Sequence, residues 1–300
     1  MRTLAIILII LGEVLFIMVM SSGLCAAPSY STPGNPLFTT SSKLDSKTNT
    51  EIDFPRILQK CSREFGAIIR GDKNNKSLSI IFTGGDFADG GSTIRKILKA
   101  EHMLASFFFT GDFYRKPSNR DLVYGLIADG HYLGPHSDKH LLYCSWEDRK
   151  NTLVSQQEFI EDIQGNYEAM ARFGIEKEKA IYFVPPFEWY NATIAGWMKE
   201  LGLILINFTP GTLSNSDYTT PGMANYKSSD LIYSSIIDYE KTSPQGLNGF
   251  ILLLHIGTHP DRKDKFYDRL SKLINYLRQR DYTLLRVDHL LKNCVHMKDH

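Results

Sequence analysis

From Leu78 onward the chain alternates between two hydrophobic patterns. Nearly continuous apolar runs are typical of strands buried on both faces, and apolar positions three and four residues apart are typical of amphipathic helices. The apolar runs predict strands at 77–83, 105–111, 131–134, 180–184, 203–208, 249–255 and 282–287. The helical pattern predicts helices at 92–102, 119–129, 155–173, 193–201, 229–241 and 264–280.

This alternation of strands and helices predicts an α/β fold with a parallel sheet covered on both faces. Seven such strands indicate a parallel (β/α)7-type distorted barrel, formed by a single domain at 78–291 with a short N-terminal extension. The segment 27–77 is expected to be a flexible leader and a short N-terminal segment. Residues 28–50 lack apolar periodicity and predict the leader, and residues 51–76 predict a short helix and a polar turn at 71–76. Residues 292–300 are predicted to be a C-terminal tail.

Residues 1–26 have the pattern of a signal peptide. Arg2 gives a positive start, an apolar run covers 4–20, and small residues precede the cleavage position near Ala26. The domain is therefore expected outside the cytoplasm, either periplasmic or secreted. Retention of the segment as a membrane anchor is the alternative, which Glu13 disfavours because it interrupts the apolar run.

The four cysteines have no C-x-x-C spacing, so we do not expect a thiolate metal site. Leu24 stands where a small residue normally precedes a lipidated cysteine, which disfavours lipidation of Cys25. An oxidising compartment would permit a disulfide between Cys61 and Cys294, but the sequence alone leaves this pairing open.

Composition narrows the range of partners. The net charge is +1 and 22% of the residues are charged, without a Lys/Arg stripe interleaved with aromatics, so nucleic acid is not an expected partner. No stable protein partner is implied. Aromatic residues make up 12% of the chain, which suits core packing and also suits contacts with the apolar faces of sugar rings.

Polar residues follow four of the predicted strands, and the carboxyl ends of the strands of a parallel barrel share one face. These residues are Asp86 and Asp89, His136 and His140, the turn at 184–191, and His255. Two imidazoles four residues apart can bind one cation. With one carboxylate oxygen and an open position for water, they would form a catalytic rather than a structural zinc site.

Four segments together resemble the polysaccharide deacetylases with a NodB-type domain, carbohydrate esterase family 4. They are ASFFFTGDF (105–113), HSDKH (136–140), VPPF (184–187) and LLLH (252–255), and the resemblance covers about 78–291. It implies metal-dependent removal of N- or O-acetyl groups from an acetylated polysaccharide or oligosaccharide. One divalent cation, Zn²⁺, would be held by Asp86, His136 and His140.

The resemblance also implies roles around the cation. His255 would protonate the leaving amine or alcohol, and the backbone N–H near Phe187 would help to hold the oxyanion. Trp189 and Tyr190 follow on the same turn and are either packing residues or a platform for a sugar ring. Asp138, between the two histidines, is a candidate for orienting one imidazole.

Two positions depart from the family's pattern. Gly85 stands where the family has an aspartate base, and Val184 stands where it has an arginine that orients this base. Assigning Asp86 as the ligand requires an insertion of two residues after it. Glu188, two residues past Pro186, is the nearest replacement for the base; alternatively, no base survives.

The sequence therefore also fits other functions. A carbohydrate-binding pseudoenzyme would keep the fold without the usual base. A glycoside hydrolase needs two carboxylates, for which only Asp86 and Glu188 can be nominated. Asp86 and Asp89 could also simply form Asx turns in their glycine-rich loop. A serine esterase is not expected, because the chain has no G-x-S-x-G motif.

Overall fold

The computed structural model describes residues 61–295. Its strands are β1 (Ser62–Glu64), β2 (Ala67–Arg70), β3 (Ser77–Gly84), β4 (Ser106–Phe109), β5 (Tyr132–Pro135), β6 (Tyr182–Phe183), β7 (Ile204–Leu205), β8 (Ile251–His255) and β9 (Thr283–Leu284). Its α-helices are α1 (Gly91–Ala100), α2 (Gly111–Arg115), α3 (Arg120–Ala128), α4 (Gln156–Ala171), α5 (Ala192–Glu200), α6 (Ser229–Thr242), α7 (Leu270–Gln279) and α8 (Val287–Leu290). The predicted signal peptide at 1–26, the predicted leader segment as far as residue 60, and residues 296–300 of the tail lie outside the described residues.

The main sheet is parallel, with the strand order β5-β4-β3-β8, and β9 also pairs with β3. In the register, Ile81 of β3 lies opposite Ser106 of β4 and opposite Leu253 of β8. All residues of β3 after Ser77 are buried, as its continuous apolar run predicts for a strand covered on both faces. The predicted α/β fold with a central parallel sheet is therefore confirmed.

Strands β2, β6 and β7 complete a ring with the main sheet, but apart from the pairing of β6 with β7, single backbone hydrogen bonds make the connections in this part of the ring. Strands β6 and β7 pair in parallel, and the amide of Val184 after β6 donates to the carbonyl of Pro135 at 3.4 Å. After β7, the amide of Asn207 donates to Ile68 of β2 at 3.0 Å, and the amide of Thr209 donates to Ile251 of β8 at 3.0 Å. The continuous ladders therefore cover only part of this ring, and within residues 61–295 the predicted barrel is not closed by continuous strand pairing.

Alternate side chains of the strands face two different cores. Phe107 and Phe109 of β4 pack outward against the helices, and Phe108 between them packs inward with Ile68, Ile206 and Leu253. Side chains from opposite parts of the ring thus fill one interior. This interior core fixes the carboxyl ends of the strands relative to one another.

The helix predicted within 51–76 is wrong for the part that the structure describes. Strands β1 and β2 form an antiparallel hairpin, whose turn places Phe65 and Gly66 at φ 44° and 92°. A side chain at Gly66 would lie 2.7 Å from Cβ of Ala195. Because Ile68 of β2 pairs with the strand region after β7, tertiary pairing overrides the weak local helical pattern.

The hairpin is also tied to the end of the domain. Cys61 and Cys294 form a disulfide with a Cα–Cα distance of 5.8 Å, which is the pairing that the sequence left open. Cys144 is buried with a free thiol. Within residues 61–295, no helix is long and apolar enough to cross a bilayer.

Candidate active site

A cavity of about 670 Å³ lies at the carboxyl ends of β3, β5 and β8. Six of the residues that the sequence nominates line it: Asp86, His136, His140, Phe187, Glu188 and His255. Trp189 and Tyr190 are not among its lining residues. The parallel arrangement therefore brings together residues that are far apart in the sequence.

His136 is buried at the end of β5, and its ring is held in one orientation. Its Nδ1 donates a hydrogen bond to the carbonyl of Val184 at 2.7 Å, so Nε2 is the nitrogen left for the cavity. Its backbone amide donates to Oδ1 of Asn166 at 2.8 Å. Burial, together with the neighbouring His140, lowers the pKa of His136 well below its usual value. The imidazole is therefore neutral and has a lone pair available for a cation.

His140 lies next to His136, with 5.1 Å between the ring centroids. Burial is the main reason that the pKa of His140 falls to about 4, and the nearby His255 adds to this effect. His140 has a left-handed backbone with φ 56°, as does Ser137 with φ 72°. A non-glycine residue adopts such a conformation only where its surroundings enforce it, which is common at binding sites.

Asp162 of α4 helps to enforce this loop conformation. Its Oδ1 accepts hydrogen bonds from the amides of Asp138 and Lys139 at 3.2 and 3.0 Å, and its Oδ2 accepts from the hydroxyl of Tyr143 at 2.6 Å. Asp138 itself pairs with Arg115 at 2.7 Å. The suggested role of Asp138 in orienting an imidazole is thus not what the structure shows, because its carboxylate is engaged by a cation on α2.

The two aspartates after β3 differ in their surroundings. The side chain of Asp86 is 89% exposed, and its nearest cation is Nζ of Lys116 at 3.8 Å. Asp89 accepts a hydrogen bond from the amide of Thr258 at 2.7 Å and pairs with Lys265 at 2.9 Å. Asp89 therefore connects the loop after β3 to the loop after β8, whereas Asp86 remains available at the cavity.

The donor set fits a divalent cation only in part. Two neutral imidazoles, His136 and His140, are in place, and the carboxylate of Asp86 lines the same cavity. Among residues 61–295, however, no three side chains of His, Cys, Asp or Glu lie close enough to share a cation. A third protein ligand would require the exposed side chain of Asp86 to turn inward.

The partly buried His255, on the other side of the cavity, forms a hydrogen-bonded pair with the buried Asp217. Oδ1 of Asp217 lies 2.6 Å from Nδ1 of His255, and Oδ2 accepts from the His255 amide at 2.9 Å. Burial alone would lower the pKa of His255, but the charge and hydrogen bond of Asp217, with the charge of Glu188, raise it above its usual value. The protonated form of His255 is therefore favoured relative to that of an ordinary imidazole.

Glu188 lies in a 3₁₀ turn, Pro186–Glu188, where Phe187 and Glu188 have left-handed φ angles of 58° and 52°. The side chain of Asn207 donates to the backbone carbonyl of Glu188 at 2.9 Å, which holds the turn. Burial raises the pKa of the Glu188 carboxyl to about 7, although the charge of His255 opposes this. A carboxyl with this pKa can accept and release a proton near neutral pH.

The aromatic residues around this turn divide into packing residues and exposed residues. Tyr190 is fully buried, so the suggested contact with a sugar is not what the structure shows. Trp189 lies under Arg149, whose Cζ is 3.7 Å from the ring centroid, and stacks on Trp146. Trp146 and Phe187 are 53% and 43% exposed and line the cavity. The candidate sugar platform is therefore Trp146 with Phe187.

Sequence reasoning missed three residues of this site. Asp217 follows no apolar strand, and Asp162 is one of several acidic residues on an amphipathic helix, so neither stands out. Trp146 lies in a polar loop, and its exposure becomes visible only in the structure. Each acquires its place through contacts with residues distant in the chain.

Comparisons with known proteins agree with the residue pattern and the fold. Residues 70–206 match the family model described as polysaccharide deacetylase. The chain is 23% identical over 221 residues to the peptidoglycan-N-acetylglucosamine deacetylase of Bacillus cereus, covering 73% of this chain and 90% of that protein.

Two solved structures share the fold. A family 4 carbohydrate esterase from Bacillus subtilis has a TM-score of 0.60 and 20% identity, covering 81% of this chain and 91% of that one. A pseudoenzyme of the same family from Bacillus anthracis has a TM-score of 0.59 and 16% identity, covering 76% of this chain and 70% of that one. The residue pattern, the match over residues 70–206 and the shared fold all make the domain described above similar to the polysaccharide deacetylases of carbohydrate esterase family 4.

Proposed function

We propose that the protein removes acetyl groups, N-linked or O-linked, from a glycan outside the cytoplasm. The observation that carries this proposal is that His255, which is hydrogen-bonded to the buried Asp217, lines the same cavity as Glu188 and the two imidazoles of His136 and His140. A proton donor and a proton acceptor in one cavity are what the hydrolysis of an amide or ester requires.

His255 is the proposed acid. Because its Nδ1 is engaged by Asp217, Nε2 is the nitrogen that can donate a proton to the leaving amine or alcohol. Asp217 raises the pKa of the imidazole, which favours its protonated form, and fixes the orientation of its ring, as a carboxylate does beside a catalytic histidine.

Glu188 is the proposed base. Its carboxyl has a pKa of about 7 and lies close enough to His255 for their charges to interact. It would take the proton of an attacking water, the role that an aspartate at Gly85 would have in the family's usual pattern. Val184, in place of the family's arginine, contributes its carbonyl to the hydrogen bond that orients His136.

Dependence on a divalent cation, Zn²⁺, is part of the proposal. His136 and His140 would hold the cation, with Asp86 as the third protein ligand. Such a cation supplies a bound water of lowered pKa and polarises the acetyl carbonyl. The neutral state of both imidazoles supports this assignment.

The proposed substrate is an acetylated polysaccharide or oligosaccharide. Exposed Trp146 and Phe187 beside His140 offer apolar surfaces on which a sugar ring can lie. The Cys61–Cys294 disulfide and the predicted signal peptide support a location outside the cytoplasm.

A carbohydrate-binding pseudoenzyme is the second candidate. It is favoured by glycine at position 85 and by the exposure of Asp86, which leaves the cation site with two assembled ligands. A pseudoenzyme would bind the glycan through the aromatic surface without releasing acetate.

The experiment that tests the proposal measures acetate released from a panel of acetylated glycans, with and without a chelator. The panel contains acetylated chito-oligosaccharide, peptidoglycan fragments and acetyl xylan. Chelator-sensitive acetate release by the wild type, and its loss in His255→Asn, would support the enzyme. Binding without acetate release by folded, zinc-loaded protein would support the pseudoenzyme.

A further inference from the structure

A second cavity, of about 1060 Å³, adjoins the candidate active site. Asp86, Phe87 and Thr258 line both cavities, so the two lie side by side along the loops after β3 and β8. A glycan chain that places an acetyl group beside His140 and His255 can therefore extend into the second cavity.

The lining of this second cavity is predominantly basic. Its cationic residues are Arg95, Lys96, Lys99, Lys116, Lys263 and Lys265. Its anionic residues are Asp86, Asp89 and Asp121, which leaves an excess of positive charge. The whole chain has a net charge of only +1, so this excess is a local property of the cavity.

Some of these cations already have partners. Arg95 pairs with Asp129 at 2.5 Å, and Lys265 pairs with Asp89 at 2.9 Å. Lys116 donates to the carbonyl of Asp86 at 2.8 Å and so holds the loop between the two cavities.

Three other lysines of the lining have no carboxylate partner among the described residues. Lys96 and Lys99 on α1 and Lys263 after β8 are exposed, and in the described part of the chain none of them has a carboxylate within 4.0 Å. All three line this one cavity. A polyanion that lies along the cavity can therefore approach more than one of these ammonium groups.

We propose that this lysine-lined cavity binds the anionic groups of the glycan, so that the substrate class is a polyanionic acetylated glycan. The proposal rests on the function proposed above, because it assigns the second cavity to the same chain whose acetyl group lies beside His255. The anion is a carboxylate on the sugar or a phosphate in the glycan backbone, and both have the charge that ammonium groups bind.

The test uses binding rather than turnover, with probes that carry no acetyl groups. Oligogalacturonate supplies carboxylates, poly(glycerol phosphate) supplies phosphates, and cello-oligosaccharide of equal length, which has neither charges nor acetyl groups, is the neutral probe. Calorimetry compares the wild-type full chain with the triple variant Lys96→Gln/Lys99→Gln/Lys263→Gln. The matched control is Lys150→Gln/Lys199→Gln/Lys241→Gln, which removes the same charge from exposed lysines outside both cavities.

We expect at least one anionic probe to bind more tightly than the neutral one, with an affinity that falls as salt is added. The cavity variant should weaken this binding about tenfold, and the control variant should leave it unchanged. The better of the two anionic probes identifies the source of the charge. Equal binding of the neutral probe, or an equal loss in both variants, would overturn the proposal.

A third arm uses vesicles of phosphatidylglycerol and phosphatidylcholine. Lysine-dependent binding to these vesicles, with no preference for either anionic glycan, would assign the cluster to a membrane surface and reject the glycan site. Because no probe is a substrate, the result is independent of acetate release. A failure of the deacetylase proposal and a failure of this one are therefore distinguishable.

Discussion

Asp217 holds both the ring and the backbone of His255. Oδ1 of Asp217 lies 2.6 Å from the ring Nδ1, and Oδ2 accepts from the backbone amide at 2.9 Å. Asp217 is 3% exposed, so this pairing takes place away from solvent, where one charge strongly affects the protonation of another. The pair therefore determines the pH range in which His255 can act as an acid.

Asp217→Asn should narrow this pH range. Asp217 raises the pKa of His255. A general acid must be protonated, so activity that depends on His255 is lost as the pH rises through this pKa. Removing the carboxylate lowers this pKa, so the alkaline limb of kcat/KM should move to lower pH by about 1–3 units. Asp238→Asn, an exposed aspartate on α6, is the control. An unchanged alkaline limb in Asp217→Asn would remove His255 from the role of acid.

Glu188→Gln should stabilise the fold at mildly alkaline pH. The pKa of Glu188 is about 7 in the folded protein against 4.5 ordinarily, so the folded state binds more protons between these values. Stability attributable to this carboxyl is therefore lost as the pH rises through that range. At a pH above this range, the substitution should raise the free energy of unfolding by roughly 1–3 kcal/mol. At a pH below this range, it should leave the free energy of unfolding unchanged.

Denaturant unfolding at one pH above and one pH below the titration range of Glu188 measures this change in stability. Glu178→Gln on the surface is the control. The measurement reports the enclosure of the Glu188 carboxyl and does not depend on activity. A pH-independent effect of Glu188→Gln would show that the carboxyl is well solvated, and would remove the reason for its suitability as a base.

Asp86→Asn should change zinc affinity, whereas Asp89→Asn should change thermal stability. Asp86→Asn should weaken zinc affinity at least about tenfold, because an amide is a poorer ligand than a carboxylate. Asp89→Asn should leave zinc affinity unchanged and lower the melting temperature, since Asp89 pairs with Lys265 and binds the amide of Thr258. Calorimetric titration with zinc and thermal unfolding measure the two effects. Loss of zinc binding in Asp89→Asn alone would transfer the ligand role to Asp89.

The central strands and helices could be predicted from the sequence because their apolar residues recur at regular spacings. A strand such as β3, buried on both faces, must be apolar throughout, and a helix that covers the sheet must have one apolar face. The helix predicted at 155–173 is α4, and Ser155 and Glu158 form a capping box at its start. Residues at the ends of parallel strands, such as His136 and His255, could be assigned to one site for the same reason.

The parts that could not be predicted depend on contacts between distant segments. Strands β1 and β2 form where a helix was expected, because Ile68 pairs with the segment after β7. Asp217 is in an irregular loop and reaches His255 across 38 positions of sequence. The outward direction of Asp86 depends on the loop conformation and on Lys116, which no local pattern records.

The central claim, that this cavity hydrolyses acetyl groups with Glu188 as base, is tested most directly by comparing acetate release by the wild type, Glu188→Gln and Gly85→Asp. A side chain at Gly85 has room, because its Cβ would lie 3.6 Å from Cγ2 of Thr110, an ordinary contact. Gly85→Asp restores a carboxylate where the family's base normally stands. Metal content and folding are checked in all three proteins.

We predict that the wild type releases acetate from an acetylated glycan, and that Glu188→Gln lowers kcat by about 10²–10⁴-fold with its zinc content unchanged. Activity that appears only in Gly85→Asp, with an inactive wild type, would contradict this account and identify the protein as a binding module that has lost its base.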